Sequence, residues 1–405
     1  MPGQVVRNAI LVSFACWTLG AQAAPPARPV VRSAAELGAV LASGQRTPLD
    51  AFTPYGKRSF LRSLYWSERG LGSIGRTSLV RELDAQQIAA VLALLDASAY
   101  LPTLIGDLVG PPLRLPTPAA DIEARYEQLL RFDREQSQRR SSAPDAVTAV
   151  DAAPLERRYV ALFGEGMSGT RLRTLSTGDL PLYFDAAALV SQGRPASPAS
   201  RHLGMVYEEL RRRGIDTRRS FDGQMLGQLL EARHYEKARA FVDGKPHLAG
   251  TVIPTLRDPL GPAFRGRSVY RYDAEARSLT REALPQPAEA ELVMVVDAGC
   301  RFSANALAAL HDDAAFRARL QEVGLVLITP PRAPIAFHFI EDWNKANPTI
   351  PIRVPYSVEE WQAVDIANVP RFFLLKEGKV VDQLTGWPPE GNQAALIALL
   401  DRAAR

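Results

Sequence analysis

Cysteine is the residue type in this chain best suited to covalent chemistry, and it occurs only twice, as Cys16 and Cys300. Cys300 follows an apolar run, Leu-Val-Met-Val-Val, and a short Asp-Ala-Gly segment. This pattern predicts a buried strand that delivers Cys300 to the first turn of a helix. Backbone N–H groups at a helix N-terminus stabilise a thiolate, which is the nucleophilic form of cysteine. We therefore expect Cys300 to act as a nucleophile, with Arg301 adding positive charge and Ser303 offering a hydroxyl hydrogen bond to the sulfur.

A second informative segment begins at Val369 and reads Val-Pro-Arg-Phe-Phe-Leu-Leu-Lys-Glu-Gly-Lys-Val-Val. Pro370 directly precedes an apolar run, Glu377-Gly378 is typical of a turn, and a second apolar run follows. The segment therefore predicts a β-hairpin that is entered through a proline.

The elements around these two segments have a recognisable order. Between residue 289 and the C-terminus the pattern predicts strand, helix, strand and helix, then a β-hairpin and a terminal helix. This order, with Cys300 at a helix start and Pro370 before the hairpin, resembles the thioredoxin-like superfamily. The resemblance implies an α/β thioredoxin-like domain of βαβ-ββα order over residues 289–405. It also implies that Val369 and Pro370, joined by a cis peptide bond, oppose the sulfur of Cys300 and bind substrate.

The sequence departs from the family at one important position. The Cys-x-x-Cys pattern of the family is here Cys300-Arg301-Phe302-Ser303, so one sulfur is missing. A single thiol forms a mixed disulfide with a partner but does not release that partner by internal attack. The predicted function is monothiol thiol–disulfide exchange or isomerisation on protein partners that carry a thiol or a disulfide. The alternative is a non-catalytic interaction or scaffold protein whose helical region binds a partner, because fold alone does not determine function.

Other groups that could perform chemistry give weaker signals. The five histidines show no spacing typical of a zinc site, so we expect no metal and no cofactor. The acidic pair Glu359 and Glu360 has no matched partner nearby in the sequence, and we expect both side chains to be solvated.

The N-terminus predicts export. A basic residue, a short apolar run and an Ala-x-Ala sequence ending at Ala23 are typical of a secretory signal peptide over residues 1–23. Cleavage would place the protein in the periplasm or outside the cell and would remove Cys16. The remaining thiol, Cys300, would then have no intramolecular partner, and it could join two copies in a disulfide-linked homodimer.

The remainder of the chain has mainly helical periodicity. It predicts a helical region over residues 34–135 and a helical domain over residues 155–281, which contains one repeat-like helical hairpin and a short β-hairpin. Three glycines, Gly70, Gly72 and Gly75, predict a loop between helices. A net charge of +4 on 405 residues argues against a nucleic-acid partner, and no later stretch has the apolar length of a membrane span.

Overall fold

The computed structural model describes residues 30–67, 70–106, 108–142, 153–191, 197–285, 290–330, 335–357, 359–361, 363–364 and 369–403. Within these residues, a mainly helical N-terminal region precedes a C-terminal α/β region built on one large sheet. This is the predicted fold class. The predicted signal peptide over residues 1–23, including Cys16, lies outside the described residues.

The N-terminal region is helical throughout most of its described length. Its helices are α1 (Ala34–Ala42), α2 (Pro54–Ser63), α3 (Arg76–Glu82), α4 (Ala85–Leu94), α5 (Leu101–Ile105), α6 (Ala120–Ser142), α7 (Ala153–Phe163), α8 (Gly169–Thr174), α9 (Leu180–Ser191), α10 (Pro198–Arg212), α11 (Phe221–Glu231) and α12 (Tyr235–Val242). Polar residues begin several of them. Ser33 caps α1, and Asp84 forms a reciprocal capping box with Gln87 at the start of α4.

A short hairpin replaces the loop that the glycine cluster predicts. Strands β1 (Tyr65–Ser67) and β2 (Gly70–Ser73) pair antiparallel, with Trp66 opposite Leu71. A Cβ atom at Gly72 would lie 2.8 Å from the Tyr65 ring. The prediction of a loop was wrong because this glycine permits close approach of an aromatic side chain from the opposite strand.

The helices pack into two hydrophobic clusters. The first includes Phe60, Leu79 and Val91 among its fully buried side chains, and the second includes Phe184 and Leu203. Burial of these side chains provides the main stabilisation of each cluster.

The C-terminal region contains an eight-stranded sheet and four helices. In chain order its elements are β3 (Thr255–Arg257), β4 (Ser268–Asp273), β5 (Ser278–Ala283), β6 (Ala290–Val295), α13 (Arg301–Asp312), α14 (Ala314–Glu322), β7 (Leu325–Ile328), α15 (Phe337–Ala346), β8 (Ile352–Pro355), β9 (Arg371–Lys376), β10 (Lys379–Thr385) and α16 (Gln393–Ala403).

The strand order across the sheet is β10-β9-β6-β7-β8-β4-β5-β3. Strands β6, β7 and β8 are parallel, whereas β9 is antiparallel to both β6 and β10. A parallel βαβ unit flanked by an antiparallel ββα unit is the thioredoxin-like arrangement, and it brings the end of β6 close to the start of β9.

The sheet extends beyond the residues that the sequence assigns to the thioredoxin-like domain. The β4–β5 hairpin pairs with β8, with Val269 opposite Pro355 and Tyr270 opposite Val354. Buried side chains of α11 and α12, including Leu230 and Tyr235, belong to the hydrophobic cluster of the C-terminal region. The division at residue 289 stays a prediction, and both the sheet and its core continue across it.

Buried charge connects the hairpin to the rest of the sheet. Arg281 on β5 is 2% exposed and forms ion pairs with Glu360 at 2.7 Å and Asp258 at 3.1 Å. Glu360 also accepts hydrogen bonds from the backbone and hydroxyl of Ser268. The prediction of a solvated Glu360 was therefore wrong, because its partners come from segments 79 and 92 residues away.

Candidate thiol site

Cys300 lies at the junction between the end of β6 and the start of α13. It is the N-cap residue of this 12-residue helix, with an extended backbone at φ −104° and ψ 114°. Its N–H donates to the carbonyl oxygen of Asp297 at 3.1 Å, and its own carbonyl accepts the N–H of Ala304 at 3.0 Å. Its side chain is partly exposed and forms no disulfide. The predicted strand-to-helix position of this cysteine agrees with the structure.

The sulfur of Cys300 faces the loop before β9. Its Sγ lies 3.4 Å from the carbonyl oxygen of Val369, in hydrogen-bonding geometry. The peptide bond between Val369 and Pro370 is cis, and Pro370 is buried. The carbonyl of Pro370 accepts the N–H of Gly386 at 2.9 Å, which attaches this loop to the end of β10. The fold thus brings together residues that are 69 positions apart in the chain.

Ser303 and Arg301 make their contacts away from the sulfur. Ser303 is fully buried, and its Oγ accepts the N–H of Asp297 at 3.2 Å, which supports the turn before the helix. That bond uses a lone pair and leaves the hydroxyl hydrogen available as a donor. Arg301 is exposed, and its guanidinium carbon lies 5.5 Å from the centre of the Phe302 ring. The roles of these two residues as thiolate stabilisers stay predictions.

Two residues that the sequence reasoning did not select also shape the site. The Oδ1 of Asp297 accepts the N–H of Gly299 at 2.9 Å, which fixes the backbone just before Cys300. An aspartate three residues before a helix N-cap is typical of such turns and could have identified this position. Phe302 is 41% exposed and adjoins the cysteine in the first turn of α13. No local sequence pattern distinguishes it from a core residue.

The arrangement suits attack on an external disulfide. It offers one partly exposed sulfur at a helix N-terminus, with the backbone of Val369 beside it. Among the described residues there is no second cysteine, and no cluster of three or more His, Cys, Asp or Glu side chains could hold a metal ion. None of the helices described here is long and apolar enough to span a bilayer.

Comparison with known proteins adds little to this geometry. No protein-family model and no curated protein matches the chain. Among solved structures, StoA from Bacillus subtilis is 19% identical, over 34% of this chain and 99% of that one, with a TM-score of 0.25. The C-terminal domain of an uncharacterized protein from Bacteroides fragilis is 15% identical, over 32% and 92%, with a TM-score of 0.23.

A third solved structure, a thioredoxin-like protein from Bacteroides caccae, is 14% identical, over 72% of this chain and 99% of that one, with a TM-score of 0.22. The thioredoxin-like fold of the C-terminal region follows from its own strand order and from the position of Cys300 opposite Pro370.

Proposed function

We propose that this protein carries out thiol–disulfide exchange on protein partners, as a monothiol exchange or isomerase protein that acts through Cys300. The observation that supports this proposal is the position of the sulfur. It is partly exposed at the N-terminal end of α13, and it lies 3.4 Å from the carbonyl oxygen of Val369. A thiolate at a helix N-terminus is stabilised by the backbone N–H groups that the first turn leaves unpaired.

The reaction begins with attack on a disulfide of the partner. The thiolate of Cys300 forms a bond to one partner sulfur, and the partner S–S bond breaks, so the second partner sulfur leaves as a thiolate. Release requires a different thiolate of the partner to attack its own sulfur in the mixed disulfide. That step forms a new disulfide within the partner and returns the Cys300 thiolate. No electrons are gained or lost overall, so rearrangement needs neither an oxidant nor a reductant.

The loop before β9 gives the partner a surface on which to bind. Val369 is partly exposed and adjoins the sulfur, whereas the buried Pro370 attaches the loop to the sheet. A partner segment that places its disulfide at Cys300 therefore also contacts Val369, whose position depends on the buried Pro370. Phe302, in the first turn of α13, is 41% exposed, and we propose that its ring adds apolar surface for the partner.

Export is part of this proposal. The signal-like sequence over residues 1–23 would direct the protein to the periplasm or beyond the cell. Partner disulfides persist in these oxidising compartments, and the enzyme would meet its substrates there.

The test is the recovery of activity from scrambled ribonuclease, whose disulfides are fully formed but incorrectly paired. The purified wild-type chain is expected to accelerate recovery several-fold over buffer, with no added oxidant or reductant. The Cys300→Ser variant is expected to reduce the rate to that of buffer, because it removes the only nucleophilic sulfur of the described chain.

A matched variant, Ser303→Ala, keeps the sulfur and is expected to retain part of the activity. Equal rates for the wild type and Cys300→Ser would contradict the proposal. That result would favour the non-catalytic alternative, in which the thioredoxin-like region is a scaffold.

A further inference from the structure

An open groove lies among four helices of the N-terminal region, far in sequence from Cys300. Residues of α8, α10, α11 and α12 surround it, and its volume is about 830 Å³. Apolar side chains form most of its surface. The largest of these are Leu172, Met205, Met225, Leu229 and Phe241, of which only Leu172 is fully buried. This helical groove therefore leaves apolar side chains of four helices in contact with solvent.

The groove lining carries four cationic side chains and two carboxylates, those of Glu208 and Glu209. Arg173 on α8, Arg201 on α10 and Lys237 on α12 all contribute to its lining, and all three are exposed. None of their charged groups forms an ion pair or hydrogen bond with another described residue. By contrast, Arg212 at the same groove is bound to Glu209 at 2.6 Å. Three cations on three different helices are thus available to an anionic partner.

We propose that the helical groove binds an acidic amphipathic helix of a partner protein. Apolar side chains at helical spacing would enter the groove, as in other helix-in-groove interfaces. Aspartate or glutamate side chains on the flanks of that helix would pair with Arg173, Arg201 and Lys237. The methionines Met205 and Met225 suit this role, because their flexible thioethers adapt to the shape of an incoming apolar side chain.

The arrangement of charge and apolar surface favours this occupant over two others. A small amphiphile with one anionic head group would engage a single cation, whereas the available cations come from three helices. A nucleic acid would require aromatic faces for base stacking. Two aromatic rings line the groove, Tyr207 and Phe241. Tyr207 is 1% exposed, and the ring of Phe241 already has Lys245 at 4.4 Å from its centre.

This inference goes beyond the proposed thiol chemistry and does not depend on it. Helix α10 contains 15 residues and is about 22 Å long at about 1.5 Å per residue. A partner helix of similar length would match the groove, so we choose peptides of 16 residues to test binding.

The test is selection from a random library of 16-residue peptides displayed on phage, with the purified full chain as bait. Enriched peptides are expected to place apolar residues at positions i, i+3 or i+4, and i+7, with aspartate or glutamate on the flanking positions. The affinity of an enriched peptide is then measured by fluorescence anisotropy against wild-type protein and variants.

Two variants test the position of binding. A Cβ atom at Gly204, which lines the groove on α10, would meet no atom within 4 Å, so a larger side chain at this position begins in open space, and Gly204→Leu is expected to occupy part of the groove. It is expected to weaken binding at least tenfold. Gly38→Leu on α1 is the matched control, since a Cβ atom there also meets nothing within 4 Å and Gly38 does not line the groove. Arg201→Glu is expected to weaken binding similarly and to recover it with a peptide in which only the acidic residue that pairs with Arg201 is replaced by lysine.

Several results would overturn the inference. These are the absence of enrichment, enrichment of basic or uncharged peptides, and an affinity that Gly204→Leu leaves unchanged. Binding of dodecanoate without peptide binding would instead assign the groove to a small amphiphile. A dimer that Gly204→Leu dissociates, again without peptide binding, would assign it to a second copy of this chain. Cys300→Ser is expected to bind the peptides with unchanged affinity, so the inference and the proposed function fail separately.

Discussion

The helical region and the thioredoxin-like region both have apolar cores, but they differ in the buried charged contacts that accompany those cores. In the helical region, Arg81 on α3 is buried and forms a two-pronged ion pair with Asp185 on α9, at 2.8 and 2.9 Å. Arg219 is buried nearby and donates to four backbone carbonyls, including those of Val80 and Leu83 at 3.0 and 2.7 Å. These contacts join segments more than 100 residues apart, and they connect the two helical clusters.

The centre of the thioredoxin-like sheet is apolar instead. Leu292 and Met294 on β6 pack with Phe372 and Leu374 on β9, and all four are almost fully buried. Buried charge in this region occurs in two places. Glu291 on β6 is 3% exposed and pairs with Arg267, and Arg281 connects the β4–β5 hairpin to Glu360. In both regions apolar burial stabilises the regular elements, and a few specific charged contacts connect segments that are distant in the chain.

The largest expected effect on the free energy of unfolding comes from removing one partner of the buried Arg81–Asp185 ion pair. The Arg81→Ala variant would leave the carboxylate of Asp185 buried without its partner and is expected to lower the free energy of unfolding by about 3–5 kcal/mol. The double variant Arg81→Met/Asp185→Leu removes both charges and is expected to recover most of that loss. Urea unfolding followed by circular dichroism measures both. A loss below about 1 kcal/mol for Arg81→Ala would show that the connection between the two helical clusters does not depend on this ion pair.

Substitution of Glu209 on α10 is expected to have a smaller effect on the free energy of unfolding, and this effect depends on pH. Hydrogen bonds from Arg212 and Arg213 lower the pKa of the Glu209 carboxyl from 4.5 to about 2. Because the pKa is lower in the folded state than in the unfolded state, the stabilisation is complete above about pH 4.5 and is lost as pH falls towards 2. Glu209→Gln is therefore expected to cost about 1–2 kcal/mol at pH 7 and almost nothing at pH 2.

The neighbouring Glu208 provides the control for this measurement. Its side chain is 66% exposed, and it contacts Arg211 only at 3.4 Å. Glu208→Gln is expected to change the free energy of unfolding by less than about 0.5 kcal/mol at every pH between 2 and 7. Parallel pH profiles for the two variants would contradict the account of Glu209.

The smallest effect on stability, with a distinct effect on function, is expected at Phe302. Its ring is 41% exposed, so Phe302→Ala should change the free energy of unfolding by no more than about 0.5 kcal/mol. Loss of this apolar surface is expected to slow exchange with a protein disulfide several-fold and to leave exchange with cystine unchanged. Val381→Ala, at a 52% exposed position on β10, is the control and should change neither rate. Equal slowing with both substrates would contradict a binding role for Phe302.

The difference between local patterns and long-range contacts explains how much of the structure could be predicted from the sequence. The strand before Cys300 and the hairpin after Pro370 have strong local patterns, so the position of the thiol at the start of α13 could be predicted. The pairing of β4 with β8 could not, because it depends on contact between Tyr270 and Val354, which are distant in the chain and have no shared pattern.

Long-range polar contacts could not be predicted from the sequence either. Glu360 has the appearance of a solvated residue in the sequence, and only the fold places Arg281 beside it. The helical groove could not be predicted for the same reason. Arg173 and Lys237 belong to helices that sequence periodicity identifies, but periodicity does not show that these helices pack side by side. Periodicity identifies the face of an element that is buried, but it does not specify which distant element covers that face.

The most direct test of the thiol function compares the alkylation of Cys300 in the folded chain and in the same chain unfolded in urea. Iodoacetamide at pH 6 reacts only with the thiolate, and mass spectrometry of proteolytic peptides follows the reaction at Cys300 separately from Cys16. The account predicts faster alkylation in the folded protein, because Cys300 lies at the N-cap of α13 and its side chain is partly exposed. Slower alkylation in the folded protein than in urea would contradict a working nucleophile at Cys300.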